Sequence, residues 1–232
     1  MSKSVLIKSS LAKKYWMALT GLFLCLFLVG HLAGNLQLFI SGEEGKLQFN
    51  EYALFMTSNP AVKILSYLTY FSILFHAIDG ILLTVANRKA RPVKYANSNP
   101  GANSTWYSRS MAVLGTAILV FIVVHMQNFW WRMHFGDLPV DTAGNKDLYQ
   151  VVMDFFNPAV NSTAIVAMLL YVVAMFALAF HLMHGFQSAF QSLGLRHKKY
   201  TPAIQKLGTA FAVIVPLAFA AIPVYLFLSQ QS

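Results

Sequence analysis

Charge is scarce in this chain: Asp, Glu, Lys and Arg make up only 11% of its 232 residues, while 57% are hydrophobic. A soluble globular domain carries roughly 25% charged residues, so this composition excludes a soluble enzyme and places the chain in a membrane. Carboxylates are scarcer still. Of eight Asp and Glu residues, Asp79 alone falls inside a long apolar run, which leaves a carboxylate-lined pathway for protons or hard cations short of ligands. The one cysteine, Cys25, excludes an intrachain disulfide and any Cys-x-x-Cys metal or haem-attachment motif, and is expected to serve packing. Internal repeats, Gly/Ser linkers and low-complexity tracts are also missing, so residues 1–232 are expected to form one integral membrane domain.

Crossing about 30 Å of hydrocarbon takes roughly 20 helical residues. Five apolar stretches meet that length, near residues 15–40, 62–86, 108–131, 162–190 and 208–228, and predict an all-α protein with five transmembrane helices. The last contains Pro216 and Pro223, which predict a kink. Tyr15-Trp16 and Trp130-Trp131 fit interface anchors. The basic start before the first stretch resembles a secretory signal, but the run is too long and lacks a small-residue cleavage site, so it is expected to stay as the first span.

The net charge of +9 is explained by topology rather than by nucleic acid, because the basic residues sit in short connections between apolar runs. Thirteen Lys and Arg fall on one side, from Lys3, Lys8, Lys13 and Lys14 through Arg88, Lys89, Arg91, Lys94 and Arg109 to Arg196, Lys198, Lys199 and Lys206. Only Lys46, Lys63, Arg132 and Lys146 fall on the other, which predicts a cytoplasmic N-terminus and an external C-terminus. The external connections 41–61 and 132–161 are long enough for short interfacial helices, and the inner connection 87–107, with Pro92 and Pro100, is expected to be extended or turn-rich.

Ionisable groups inside a bilayer are costly, so each one there is a functional candidate. The first four spans each carry a histidine well inside: His31, His76, His125 and His181. At about 1.5 Å per residue from the cytoplasmic ends, His31 and His125 lie roughly 25 Å deep and His76 and His181 roughly 15 to 20 Å deep. In an up-down bundle each same-depth pair falls on diagonally opposed helices, an arrangement suited to a flat macrocycle between two axial imidazoles. Gly34, Gly80 and Gly185 follow His31, His76 and His181 at the spacing that shares a helix face, and are expected to give a ring room; Asn128 takes that place after His125. A single membrane histidine often bonds a neighbouring helix, but four, paired by depth, favour bis-histidine haem iron. His184 lies one turn from His181 and stands as an alternative ligand or as a contact to a propionate or quinone. His134 and His197 fall in connections.

The segments Gly30-His31-Leu32-Ala33-Gly34-Asn35, His76-Ala77-Ile78-Asp79-Gly80 with Asn87-Arg88-Lys89-Ala90-Arg91-Pro92, and His181-Leu182-Met183-His184-Gly185-Phe186 resemble the di-haem cytochrome b anchor of succinate dehydrogenases and fumarate reductases, over nearly the whole chain. The resemblance implies two haems b, the outer on His31 and His125 and the inner on His76 and His181. It implies a flavoprotein and an iron–sulfur subunit docked on the cytoplasmic face of a bacterial inner membrane, possible assembly into a higher oligomer, and electron transfer to quinone, often menaquinone. Some fumarate-reducing members carry a carboxylate two residues before the fourth-span ligand; Ala179 stands here. Arg88, Lys89 and Arg109 are candidates for the inner haem's propionates, and Asp79 for steadying a basic neighbour. Among Asn50, Glu51, Gln127, Trp130 and His134, Glu51 is the chosen quinone-site candidate because it can carry protons. The competing readings are a di-haem cytochrome of another respiratory complex, a histidine-using transporter, and an anchor without haem.

Overall fold

The computed structural model describes residues 9–90 and 100–231, with the side chains of Ser10 and Pro100 left aside. Lys3, Lys8, Arg91, Pro92 and Lys94, whose charges and ring bear on the expected orientation and inner connection, lie outside the described residues. Among the described residues there is no strand, only one isolated bridge between Val140 and Lys146.

Helix α1 (Ser10–Asn35) starts where the Ser9 hydroxyl accepts the Leu11 N–H and tightens into a 3-10 turn, Leu36–Phe39. Helix α2 (Gly42–Ser58) fills the first long connection. Asn59 then caps α3 (Pro60–Lys89) by accepting from Ala61 and Val62, with Pro60 at the first turn where its missing N–H costs nothing. The third span is composite: α4 (Trp106–Arg109), a break at Ser110, α5 (Met111–His125), a π-helical turn (Met126–Trp131) and α6 (Arg132–Phe135). Helix α7 (Leu148–Phe156) lies in the second long connection, followed by α8 (Ala164–Ser192) and α9 (Thr201–Ser229).

Five helices are long and apolar enough to cross a membrane: Leu11–Phe39, Pro60–Lys89, Met111–Phe135, Ala164–Ser192 and Thr201–Ser229. Each predicted span has one of them, but the helices mostly run further, and α9 starts at Thr201 rather than 208. The difference is physical: hydropathy marks the part in hydrocarbon, while polar turns such as Gln205-Lys206 continue the same helix into the headgroups. Pro216 and Pro223 sit inside a continuous α9, both buried against its neighbours.

Helix α1 packs against α3, α8 and α9, and α5 packs against α3 and α8, so α1 stands across from α5 and α3 across from α8. The most extensively packed pair is α8 with α9. A β-carbon on Gly208 would come within 2.6 Å of the Phe186 ring, so the glycine is what lets α9 approach. Most large apolar side chains on the spans, among them Leu26, Phe71, Val113 and Leu170, are exposed, as lipid-facing residues are.

At the end that carries the acidic residues, α2, α7 and the 139–147 segment form a cap held by a buried polar network. Asn50 is fully buried; its amide donates to Asp141 Oδ2 (3.1 Å) and Asp147 Oδ1 (3.0 Å), and its carbonyl accepts the Tyr149 N–H (2.9 Å). Lys46 pairs with Asp147 at 2.7 Å, and Asp147 also caps α7 through the Gln150 N–H. Two apolar clusters flank the network, one around Leu38, Phe49, Tyr149, Phe156 and Leu226, the other around Ala53, Met133, Leu138 and Val151.

Burial alone would raise the Asp147 carboxyl, but the bonds from Lys46, Asn50 and the Gln150 backbone outweigh it and hold the group below the usual carboxylate range. Asp141 follows the same logic, with burial opposed by the Asn145 backbone, Asn50 and the Ala143 backbone. A carboxylate whose folded pKa is depressed contributes stability above its unfolded pKa, about 3.9, and loses it as pH falls through the folded value. The cap should therefore loosen only below about pH 4. Asn50→Ala, which takes one of several bonds from each of Asp141 and Asp147 and strands the Tyr149 N–H, should cost about 2 kcal/mol. Thermal unfolding in mild detergent checks both; an unchanged midpoint for Asn50→Ala would show that the network does not hold the cap.

Candidate functional site

Four histidines of the spans meet in two pairs. His31 on α1 faces His125 on α5 with ring centroids 5.8 Å apart and planes at 84°. His76 on α3 faces His181 on α8 at 6.1 Å and 67°. Both pairs cross between helices that are not packed neighbours.

The two levels can be spaced from the glycines. A β-carbon on Gly21 of α1 would meet His76 Cε1 at 3.2 Å, and one on Gly115 of α5 would meet His181 Cε1 at 3.8 Å. His31 lies ten residues beyond Gly21, and His125 ten residues beyond Gly115. Two helices therefore give the same interval, about 15 Å at 1.5 Å per residue.

The outer-ring nitrogens have different partners. The Thr20 hydroxyl gives its hydrogen to the Trp16 carbonyl (2.7 Å), so its oxygen is left to accept from His76 Nδ1 at 3.2 Å. That places the proton on Nδ1 and a lone pair on Nε2. His125 Nδ1 meets the Tyr171 hydroxyl at 3.5 Å, which also receives the Asn128 amide at 3.4 Å. The Asn35 amide donates to His31 Nδ1 at 3.4 Å, which puts the proton of the neutral ring on Nε2, so ligation through Nε2 there requires this contact to turn over. His181 Nδ1 is buried with no hydrogen-bond partner. Among the described residues no hydrogen bond reaches Nε2 of any of the four.

The surroundings of the pairs differ. Phe27 and Phe219 flank His31, and Phe121, Phe129 and Tyr171 flank His125, with centroids 5.2 to 5.9 Å from the imidazoles. The His76–His181 pair has instead the two glycines and Thr20. Directly after His125 comes the π turn, whose wider winding rotates the residues beyond it about the helix axis; π turns often mark functional sites, and nothing in the residue pattern of Met126–Trp131 announced this one. It turns the Trp130 indole toward α3, where its N–H donates to the Tyr70 hydroxyl at 2.7 Å, and His134 stacks on the same indole at 4.5 Å.

The glycines expected to make room on the histidines' own helices have other neighbours. A β-carbon on Gly34 would strike the Tyr52 ring at 2.5 Å, Gly80 faces Met17, and Gly185 has nothing within 4 Å. The close approaches are to Gly21 and Gly115, across the helix interface; spacing within one helix gave no sign of them. His184 is half-buried and makes no hydrogen bond or ring contact among the described residues. Arg88 and Lys89 are exposed in the last turn of α3, Arg88 twelve residues past His76, or about 18 Å along the axis. Arg109 is exposed and donates to the Ser104 carbonyl. Asp79 has Lys13 in electrostatic range without an ion pair. Glu51 and Gln127 are exposed, whereas Asn50 is locked inside the cap and closed to a ligand.

No three His, Cys, Asp or Glu residues gather to hold a bare metal ion among the described residues. Comparison with protein-family models, with curated proteins and with solved structures finds no match to the chain.

Removing the Tyr70 hydroxyl isolates one of these contacts. Tyr70→Phe should leave the Trp130 N–H unsatisfied, cost about 1 kcal/mol and speed exchange of that indole proton. Thermal unfolding with indole hydrogen exchange reads both, and an unchanged exchange rate would show that the bond does not form.

Proposed function

We propose that the chain is the membrane-anchoring cytochrome b of a succinate:quinone oxidoreductase, with two haems b held by His31 with His125 and by His76 with His181. The observation that carries the reading is the facing of imidazoles in two pairs at 5.8 and 6.1 Å. Two imidazoles on opposite sides of one first-row metal ion, each bonded at about 2.0 Å, have ring centres about 6 Å apart.

Aromatic edge contacts alone span the same distance, so the donor chemistry matters. Thr20 keeps the His76 Nδ1 protonated, as a hydrogen-bond acceptor behind a ligating histidine does, which leaves the lone pair on Nε2. Two histidines per level, with no third His, Cys, Asp or Glu gathered beside them among the described residues, match a metal whose other positions are filled by a macrocycle rather than a bare ion. Gly21 and Gly115 leave space beside the inner pair that a larger side chain would fill.

Haem iron supplies reversible one-electron transfer at each level. The chain's own residues fix the imidazoles, keep water from them with the aromatic side chains around His31 and His125, and set the levels about 15 Å apart along the helices. Succinate oxidation would belong to a flavoprotein and an iron–sulfur protein docked on the basic end, in the cytoplasm of a bacterium. Quinone, menaquinone in the group the motifs resemble, would exchange electrons near the acidic end. Glu51, exposed on α2, is the proton-carrying candidate there. A transporter reading has only Asp79 among the carboxylates within the spans.

A reduced-minus-oxidised spectrum should show two b-type components. His31→Ala or His125→Ala should remove one and His76→Ala or His181→Ala the other, while His184→Ala keeps both; loss of a component with His184→Ala and retention of both with His181→Ala would reverse the ligand assignment. Gly21→Leu, which crowds His76, should remove the His76–His181 component alone. Co-purification with a flavoprotein and succinate-driven quinone reduction test the assignment to this enzyme, and Glu51→Gln should slow quinone reduction with both components intact. A colourless protein supplied with haem would end the reading.

A further inference from the structure

At the basic end, α8 closes in a Schellman turn: Leu195 N–H bonds the Phe190 carbonyl at 3.0 Å, Gly194 N–H bonds the Gln191 carbonyl at 3.1 Å, and Gly194 takes φ +76°. This fixes the chain direction for Arg196, which comes two residues later. A small depression of about 80 Å³ lies here between the ends of α8 and α9, lined by Gln187, Gln191, Arg196 and Gln205 with Phe190 and Ile204 as apolar walls. It is far below the roughly 300–1,000 Å³ of sites for drug-sized ligands, so it has room for one small group and not for a whole ligand.

The electrostatics favour an anion. No Asp or Glu follows Asp154 in the chain, while Arg196, Lys198, Lys199 and Lys206 cluster within eleven residues. Among the described residues none of the four has an ion pair. The position is that of a membrane surface, at the mouth of two spanning helices, with Leu195 and Tyr200 more than half exposed beside it. Orienting the chain needs only the charge; it does not need an arginine set among three glutamines on a hydrogen-bonded turn.

We propose that this depression binds the phosphate of an anionic phospholipid, with Arg196 as the charged ligand, the glutamine amides as hydrogen-bond donors, and the acyl chains against Phe190, Ile204 and Leu195. Basic pockets between transmembrane helices recognise lipid headgroups in this way, and guanidinium offers a phosphate two parallel N–H bonds. The apolar walls distinguish a lipid from free phosphate. The site does not depend on the haem reading.

Native mass spectrometry of the full chain in mild detergent, titrated with phosphatidylglycerol or phosphatidylcholine, tests the proposal. Phosphatidylglycerol should be retained in preference to phosphatidylcholine, and Arg196→Gln should weaken it about fivefold, the worth of one basic residue near a membrane surface. Lys14→Gln, the same charge change at an exposed residue elsewhere on the basic end, should leave retention unchanged, and Arg196→Lys should fall between wild type and Arg196→Gln. Equal retention by Arg196→Gln, equal loss with Lys14→Gln, equal binding of phosphatidylcholine, or displacement of the lipid by equimolar inorganic phosphate would each overturn it. Thermal midpoints of the variants keep these readouts separate from misfolding.

Discussion

A polar side chain in hydrocarbon must find its partner inside the protein, because no water is there to replace it, and the central arrangement of this chain follows from that constraint. Four imidazoles sit at membrane depth, and each needs something for two nitrogens. Three find a partner for Nδ1, in Asn35, Thr20 and Tyr171. None finds a hydrogen bond for Nε2 among the described residues, and the Nδ1 of His181 has none at all. Among the described residues the His181 Nδ1 is the one buried side-chain nitrogen or oxygen without a partner, and the proposed iron ligation would use the other ring nitrogens, the four Nε2 atoms.

The pairing depth of the histidines was legible from counting residues, because a helix converts sequence interval into distance at a fixed rate. The diagonal placement was legible too, since alternating spans with short connections constrain which helices are opposed. The residues that make room were not. Gly34, Gly80 and Gly185 share faces with their histidines, yet Tyr52 packs at Gly34 and Met17 at Gly80, while Gly21 and Gly115 receive the imidazoles from the neighbouring helix. Spacing within one helix says nothing about which residue of another helix lies opposite. The π turn was hidden as well: nothing in the residues of Met126–Trp131 marks its extra winding, and the partner of its Trp130, Tyr70, lies 60 residues away in the chain.

The acidic cap shows the opposite case. Asn50 stands 91 residues from Asp141 and 97 from Asp147 in the chain, and their separate local patterns are those of ordinary surface positions. Only the fold joins them. Once joined, one buried amide answers two carboxylates and a backbone N–H, and Lys46 balances part of the charge. Asn50, a quinone-contact candidate by sequence, is therefore a structural tie, because a side chain with all its bonds made inside the protein has nothing left to offer a ligand.

The two ends and the two histidine levels together give the molecule a polarity that symmetry of the helix bundle would not. Nearer the cap, His31 and His125 are wrapped by Phe27, Phe121, Phe129 and Tyr171; nearer the basic end, His76 and His181 face glycines, with Thr20 behind one ring. Hydrogen bonding behind a ligand and the polarity around it both tune a metal centre, so under the proposed reading the two levels cannot be electronically equivalent. An oxygen accepting from Nδ1 makes His76 the more basic donor, and an iron held there would be more stable in its oxidised form than one ligated by an imidazole without such support. Because His181, the partner in that pair, has no acceptor, the effect at the basic level comes from one side only. The inequality between levels then rests on Thr20 of α1 against an aromatic enclosure of the other pair to which α1, α5, the π turn and α8 each contribute a ring.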